Sequence, residues 1–403
     1  MVASVLGYVV MVTGLLLIGR VVTFPDEEKA LTPADGGIGA ATHMLVGRHG
    51  GTDFLVDYAS ARALLHHRDA YALSADTTAA VGEPWAISGA NPHPPTLLAL
   101  VAPFALVRYT WAMAAWSFAM VLVFLLTARF AGVSWLTSAI IASALALTFP
   151  GAYGIGNPVP LIGLGAVLAY RFRHEPLLAS IGIALAVAPK VSGVLLAVPF
   201  LLVRRWRTVC LGAVWLAMLA AGPIVLQRDV WSRYLDAGVS AAKANADRND
   251  NGSFFKLADK AGLPSSIVVI GLAVAVLALV AVRREMFAPV IWVMVAGLPI
   301  AWMYSLVTLL PLAVIYALRG RTAVRVLVVV ATVLMLASPP SGQWPVVMFP
   351  VVVGLFYLAV LLDDGPIGVL DGSAGRGGDA GDVGSLPSWV PLLPSRTVVT
   401  TAH

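Results

Sequence analysis

The chain has 403 residues, of which 59% are hydrophobic and only 12% are charged, and its formal net charge is +5. A soluble globular domain carries about 25% charged residues, so this composition excludes an ordinary water-soluble protein. The mean hydropathy of +0.87 and the repeated long apolar runs predict an all-α polytopic membrane protein. The single cysteine, Cys210, excludes an internal disulfide. No nucleic-acid partner is needed to explain the positive charge, because the basic residues cluster at the ends of the apolar runs.

About twelve membrane spans are predicted from runs that approach the length needed to cross a bilayer. In chain order they lie near residues 4–23, 94–107, 111–130, 134–149, 158–171, 176–202, 206–226, 265–282, 286–301, 303–318, 322–338 and 343–362. The first run is longer than a typical signal sequence and is expected to be retained as a span.

Clusters of Arg recur at every second connection between the spans, and the positive-inside rule places those connections in the cytoplasm. Two long polar loops, 25–93 and 227–264, then lie on the opposite, periplasmic face of the plasma membrane. The segment 1–362 forms the membrane domain, and the Gly-, Ser- and Asp-rich tail 363–403 is expected to be a disordered cytoplasmic tail.

The basic residues around 171–174 do not fit this orientation rule if each predicted span crosses the membrane once. Arg171, Arg173 and His174 would face the periplasm if 176–202 were a single span. They would face the cytoplasm if 176–202 were a hairpin broken at Pro189. The sequence leaves both alternatives open.

The first polar loop contains a predicted amphipathic helix over residues 53–68. Phe54, Tyr58 and Leu65 fall on one face of this helix. Asp53 lies at its N-terminus, where it is either a helix cap or a general base that accepts a proton from an acceptor hydroxyl. Asp57 follows one turn later on the same face, where it is either a solvated side chain or part of the site.

Other candidate residues are basic or polar side chains that could bind a sugar or a phosphate. His93 precedes Pro94-Pro95 at the start of a helix and is either an interfacial polar group or a donor to a sugar or phosphate. Lys190 lies inside an apolar segment, where an ionisable side chain is costly and therefore marks a functional hypothesis, the alternative being a lysine that snorkels. Arg62 and Lys256 are further cations for a phosphate, or solvated loop residues. The loops hold no carboxylate pair or histidine pair with ligand spacing, so no metal and no cofactor are predicted.

Several short motifs resemble a known family. They are Asp53-Phe-x-x-x-Tyr58-x-x-Ala61, Asp69-x-Tyr71, Pro94-Pro95, Gly154-Ile-Gly-Asn157, Ala188-Pro-Lys190, Asn251-Gly-Ser253 and Pro299-Ile-Ala-Trp302. Together they are similar to segments of the family 87 glycosyltransferases, which include actinobacterial polyprenyl-phosphate-mannose-dependent mannosyltransferases. The chain departs from the family after Trp302, where Met303 and Tyr304 replace histidines that often occur there.

The resemblance implies a C-type glycosyltransferase architecture and a catalytic aspartate, Asp53, in the first periplasmic loop. It implies a polyprenyl-phosphate sugar donor, a lipid-linked or polysaccharide glycan acceptor, and a site open to membrane lipids. The expected reaction is an inverting sugar transfer in cell-envelope glycolipid synthesis, and mannose is the expected sugar. The expected substrate-binding residues are His93, Lys190, Arg62, Asp57, Lys256, Trp302 and Tyr304. Arabinofuranosyl transfer, a lipid-linked sugar transporter or flippase, and a non-catalytic scaffold remain as alternatives.

Overall fold

The computed structural model describes residues 52–73, 91–139, 156–246, 251–283, 286–298, 301, 303–337 and 344–362. The first predicted span, 4–23, and the tail 363–403 lie outside these ranges.

The regular elements within the described ranges are helices, as the sequence predicted. The α-helices are α1 Thr52–Leu65, α2 Pro95–Val101, α3 Tyr109–Phe130, α4 Val159–Arg171, α5 Pro176–Val187, α6 Val198–Leu202, α7 Trp206–Leu226, α8 Val230–Ala246, α9 Phe254–Lys260, α10 Ser265–Arg283, α11 Phe287–Ala296, α12 Leu310–Arg319, α13 Thr322–Ala337 and α14 Trp344–Leu362. Three 3₁₀ helices cover Phe104–Leu106, Val191–Ala197 and Met303–Leu309.

The outer surface of the bundle is apolar. Trp111–Phe130 and Trp206–Leu226 are long and apolar enough to cross a membrane, and further apolar helices are shorter. On α7 the large side chains of Val214 and Met218 are more than half exposed. Because large exposed apolar surfaces are unfavourable in water, this surface is suited to lipid, as expected for a helical membrane protein.

Basic residues gather at one end of the bundle. Arg205 donates to the backbone oxygen of Arg173, and its Nη2 lies 3.0 Å from His174 Nδ1. Arg171 reaches the carbonyl oxygen of Phe130, at the end of α3, over 3.2 Å. We call this region, residues 171–174 and 204–207, the basic end.

Of the two alternatives left open for 176–202, a single span and a hairpin broken at Pro189, the structure shows the hairpin, because this segment folds back on itself. α5 leaves the basic end, the chain turns at Ala188-Pro189-Lys190, and the 3₁₀ helix Val191–Ala197 followed by α6 returns to Arg205. At Gly193 the two legs are so close that an added Cβ would collide with the backbone of Ala186. The hairpin therefore brings the basic groups on both sides of it to the same end of the bundle.

The predicted span 94–107 is not one continuous helix. Only seven residues, Pro95–Val101, form α2, and a helix of that length rises about 10 Å, far less than a bilayer. The chain then turns through Phe104–Leu106, and the carbonyl oxygen of Val107 accepts a hydrogen bond of 2.8 Å from the Tyr58 hydroxyl of α1. The two prolines at 94 and 95 and the proline at 103 stop longer helices from forming here.

Segments of the two polar loops contact each other opposite the basic end, in a region that we call the loop end. The backbone N–H of Ala70 donates to Gln227 Oε1 over 3.3 Å, and Arg233 of α8 pairs with Asp69. The Tyr71 and Tyr234 rings lie 5.7 Å apart. The described parts of the two loops therefore share one face of the molecule.

Candidate active site

Asp53 is held at the start of α1 by an asparagine from a distant part of the chain. Asn157 Nδ2 donates to Asp53 Oδ2 over 2.6 Å. The other side of the same amide, Oδ1, accepts from the backbone N–H of Val159 over 2.9 Å, which fixes its orientation at the N-terminus of α4. Asp53 is partly exposed, so one oxygen is oriented by the protein while the carboxylate remains open to a ligand.

Gly156 makes this approach of α4 to α1 possible. Its φ of +67° is a left-handed conformation, and an added Cβ would lie 2.6 Å from Phe54 Cβ. Its carbonyl oxygen accepts from Trp116 Nε1 over 2.8 Å. Glycine is required here both for its backbone conformation and for the space that it leaves.

Asp57 and His93 form a buried pair beside Asp53. His93 Nδ1 lies 2.8 Å from Asp57 Oδ1. Asn91 Nδ2 donates to the same Asp57 oxygen and to Ser60 Oγ, each over 3.0 Å, and Asn91 Oδ1 accepts from the His93 backbone N–H over 2.8 Å. Asp57 is fully buried, and its Oδ2 has no hydrogen-bond partner within the described part of the chain.

This pairing decides the charge of the histidine. Burial opposes a positive charge on His93, but the adjoining Asp57 carboxylate outweighs it and raises the His93 pKa above its ordinary value. The pairing therefore favours the imidazolium form of His93, in which Nδ1–H donates to Asp57. The Tyr71 hydroxyl adds a bond of 2.9 Å to the carbonyl oxygen of His93 and fixes the backbone of this segment.

Burial also raises the pKa of Asp53, although the nearby His93 charge, the Asn157 hydrogen bond and Lys190 all oppose that rise, and Asp57 adds to it. A carboxylate with a raised pKa is a stronger base than a solvated aspartate. This is the adjustment that a general base needs in order to take a proton from a hydroxyl near neutral pH.

Lys190 lies at the tip of the hairpin described above. Its backbone is extended, with φ −156° and ψ 124°, and the turn is tied to α2 because Thr96 Oγ1 donates to Ala188 O over 2.9 Å. The Lys190 ammonium is close enough to act electrostatically on both Asp53 and His93. Two carboxylates, Asp53 and Asp57, thus converge with the basic side chains His93 and Lys190 where α1, α2 and the hairpin tip meet.

The remaining predicted residues lie elsewhere or outside the described residues. Arg62 Nη1 donates to the Tyr58 hydroxyl over 2.9 Å and to the carbonyl oxygen of Ala105 over 3.3 Å, which gives it a structural task in the turn after α2. Lys256 lies 3.5 Å from Asp259 within α9. Trp302 lies outside the described residues, and Tyr304 is described only as part of the 3₁₀ helix Met303–Leu309. None of these placements tests a role in substrate binding.

The Asn251-Gly-Ser253 motif contacts Ala301 of the Pro299-Ile-Ala-Trp302 motif. Nothing in the sequence indicated this contact. Asn251 Oδ1 accepts from the backbone N–H groups of Ser253 and Ala301, each over 3.1 Å, and the Gly252 N–H donates to Ala301 O over 2.8 Å. Asn251 and Ser253 are buried. The Asn-Gly-Ser segment of the second loop is therefore hydrogen-bonded to Ala301, the residue before Trp302.

Sequence reasoning missed the hydrogen bonds of Asn91 and Asn157, the second of which entered only as part of the Gly154-Ile-Gly-Asn157 motif. Both asparagines stand two residues before a backbone N–H that their own side-chain oxygen accepts, a local signal that the sequence does contain. Their other hydrogen-bond partners, Asp57 and Asp53, are 34 and 104 residues away in the sequence, and no local sequence pattern predicts these bonds. Among the side chains that the structure describes, no group of three His, Cys, Asp or Glu is arranged to hold a metal ion.

An apolar helical bundle with Asp53, Asp57, His93 and Lys190 gathered at one end has the features of a membrane enzyme. The sequence profile of glycosyltransferase family 87 matches residues 92–339, well over half of the chain, and the chain belongs to that family. It is a glycosyltransferase. Asp53 and Asp57 precede the matched region, whereas His93, Asn157 and Lys190 lie inside it. No curated protein and no solved structure gives a match.

Proposed function

We propose that this glycosyltransferase moves a sugar, mannose in the first instance, from a polyprenyl-phosphate donor to a lipid-linked or polysaccharide acceptor of the cell envelope. The observation that carries the proposal is that the partly exposed Asp53 carboxylate lies beside Lys190 and beside the His93–Asp57 pair. A transfer from a sugar phosphate needs both a base for the acceptor and positive charge for the leaving phosphate.

The proposed reaction is a single displacement with inversion. Asp53 removes the proton from the acceptor hydroxyl, and the acceptor oxygen forms a bond to the anomeric carbon. The bond between that carbon and the phosphate oxygen breaks, and the phosphate oxygen keeps the electron pair. The proton ends on Asp53, and the lipid phosphate leaves with one more negative charge, which His93 and Lys190 stabilise.

Two features favour a donor that arrives from the membrane. The short helix α2 and the hairpin carrying Lys190 bring polar groups into a bundle whose outer surface is apolar, so a phosphate on a lipid chain can approach while its chain stays in lipid. The basic end lies opposite the site, and the positive-inside rule assigns such an end to the cytoplasm, which supports a periplasmic site.

The test uses purified protein in lipid vesicles with radiolabelled polyprenyl-phosphate mannose and envelope glycolipids from a deletion strain as acceptors. Asp53→Asn is expected to lower the transfer rate by about 10²–10⁴-fold, the usual contribution of a general base. Asp259→Asn is the matched control, since its carboxylate is exposed and pairs only weakly with Lys256 within α9. Equal activity of Asp53→Asn and wild type would reject Asp53 as the base.

The same preparation separates the competing functions. Transfer from polyprenyl-phosphate arabinofuranose but not from the mannose donor would replace the sugar in the proposal and keep the mechanism. Movement of the labelled donor across the vesicle without transfer would favour a transporter, and a deletion phenotype fully rescued by Asp53→Asn would favour a scaffold.

A further inference from the structure

The outer face of α8 has no assigned role, although α8 is attached to the loop end beside the site. Its inner face packs on the protein: Val230 and Ala237 are buried, and Tyr234 is half-buried against Tyr71. These residues recur with a helical spacing of four and three. One side of α8 is thus fixed to the loop end, and the rest of its circumference faces outward.

The outward part of α8 is divided into an apolar and a polar strip. Leu235 and Val239 are 61% and 56% exposed and lie one turn apart, so their side chains form one strip. Asp236 and Ser240 are exposed as well, and at about 100° per residue they form a second strip further round the helix. Trp231, half-buried, lies on the other side of the apolar strip, between it and the protein.

The apolar strip on α8 continues the surface of α7. The last turn of α7 exposes Val225 by 81%, the highest exposure among its large apolar side chains. α8 begins only a few residues later, and the Val230 N–H donates to Gln227 O over 3.1 Å across the tight connection. An apolar face that begins on a membrane-spanning helix therefore passes directly onto α8, where the chain changes direction.

We propose that α8 lies along the membrane surface at the loop end, with Leu235 and Val239 in lipid and with Asp236 and Ser240 in water. A helix that has separate protein, lipid and water sectors fits the perimeter of a bundle at the headgroup level. Trp231, at the border between the protein and lipid sectors, is the residue type enriched at that level. The occupant of the apolar strip is thus the bilayer, rather than a protein partner.

This placement has a structural consequence. Arg233 of α8 pairs with Asp69, Asp69 Oδ1 accepts from the Tyr71 N–H over 2.9 Å, and the Tyr71 hydroxyl binds the His93 backbone. The depth of α8 in the membrane is therefore coupled to the segment that carries His93. If the proposed phosphate donor is correct, α8 holds the site at the depth of lipid phosphates, but the placement of α8 does not depend on that donor.

The test is a depth measurement by spin labelling. Cys210 is the single cysteine of the chain, so Cys210→Ser gives a background in which cysteine is introduced one position at a time. Labels replace Leu235, Val239 and Ser240 in full-length protein reconstituted in phosphatidylethanolamine–phosphatidylglycerol vesicles, and a label at Val214 on α7 reports the lipid interior. Collision with oxygen, which concentrates in lipid, is compared with collision with a water-soluble nickel chelate.

Labels at Leu235 and Val239 are expected to meet oxygen more often than nickel and to lie roughly 5–10 Å below the lipid phosphates. The label at Ser240 is expected to show the opposite preference, and the label at Val214 to lie deepest. Equal nickel accessibility at Leu235, Val239 and Ser240 would mean that α8 projects into water. Labels at Leu235 and Val239 that are immobile and shielded from both reagents would mean that another part of this chain, or a second copy, covers the strip. Either result overturns the proposal.

Discussion

The close contact at Gly156 predicts a specific result for Gly156→Ala. A residue other than glycine in the left-handed region costs about 1–2 kcal/mol. The new Cβ would lie 2.6 Å from Phe54 Cβ, where real Cβ contacts rarely come closer than 3.4 Å, and such overpacking costs about 1–3 kcal/mol more. We therefore expect the substitution to lower stability by about 2–5 kcal/mol, or α1 to move away from α4 by an amount approaching 1 Å.

That movement would act on the reaction, because Phe54 follows Asp53 directly. A displacement of about 1 Å at a catalytic group can reduce a rate by about 10²-fold. Gly262→Ala is the matched control: Gly262 has nearly the same φ, +68°, but an added Cβ there meets nothing within 4 Å. Gly262→Ala should lower stability only by the cost of the left-handed backbone conformation, about 1–2 kcal/mol, and should leave the transfer rate unchanged. Thermal unfolding in detergent and the transfer rate measure both effects, and a Gly156→Ala protein that matches Gly262→Ala in both would refute the reasoning.

Three further substitutions test the electrostatics of the site. Asn157→Asp replaces the donor to Asp53 by a negative charge, so the Asp53 pKa should rise further and the acid limb of the pH–rate profile should move to higher pH; an unmoved limb would contradict this. Asp57→Asn removes the group that raises the His93 pKa but leaves its burial, so that pKa should fall below its ordinary value of 6.5. In the proposed mechanism the imidazolium is the active form, so the alkaline limb should move down in pH, and a profile unchanged on the alkaline side would exclude His93 from the reaction. Lys190→Met should reduce transfer by about 10²–10³-fold, whereas Lys190→Arg should retain part of it; a Met variant as active as the Arg variant would show that the charge is not needed.

Local sequence features were sufficient to predict the helix that carries Asp53. The run from Asp53 combines a helix-favouring start with an apolar face, and Phe54 and Tyr58 on that face are fully buried. The predicted helix extended to residue 68, but α1 ends at Leu65 and His67 takes a left-handed φ of 55°. The sequence could suggest this element because its pattern is complete within four turns.

The boundaries of the spans were less predictable, because hydropathy records how apolar a segment is and not the direction in which it runs. Residues 94–107 and 176–202 are both apolar enough for a span, yet both turn back inside the protein. The prolines at these turns, Pro103 and Pro189, were visible in the sequence. What decides the direction is packing between distant segments, such as the bond from Thr96 to Ala188, and no local pattern encodes it.

The hairpin also explains two difficulties of the sequence: a lysine within an apolar segment, and basic residues that do not fit the positive-inside rule. Read as one span, 176–202 places a lysine in the middle of the membrane and basic residues at the wrong side. Folded at Pro189, the same segment returns Arg205 to Arg173 at the basic end and carries Lys190 to the opposite end, beside Asp53. The fold-back depends on Gly193, where the two legs meet without room for a side chain. The cost of a charge within an apolar segment is thereby reduced, because the segment ends at a polar site beside Asp53 rather than continuing through lipid.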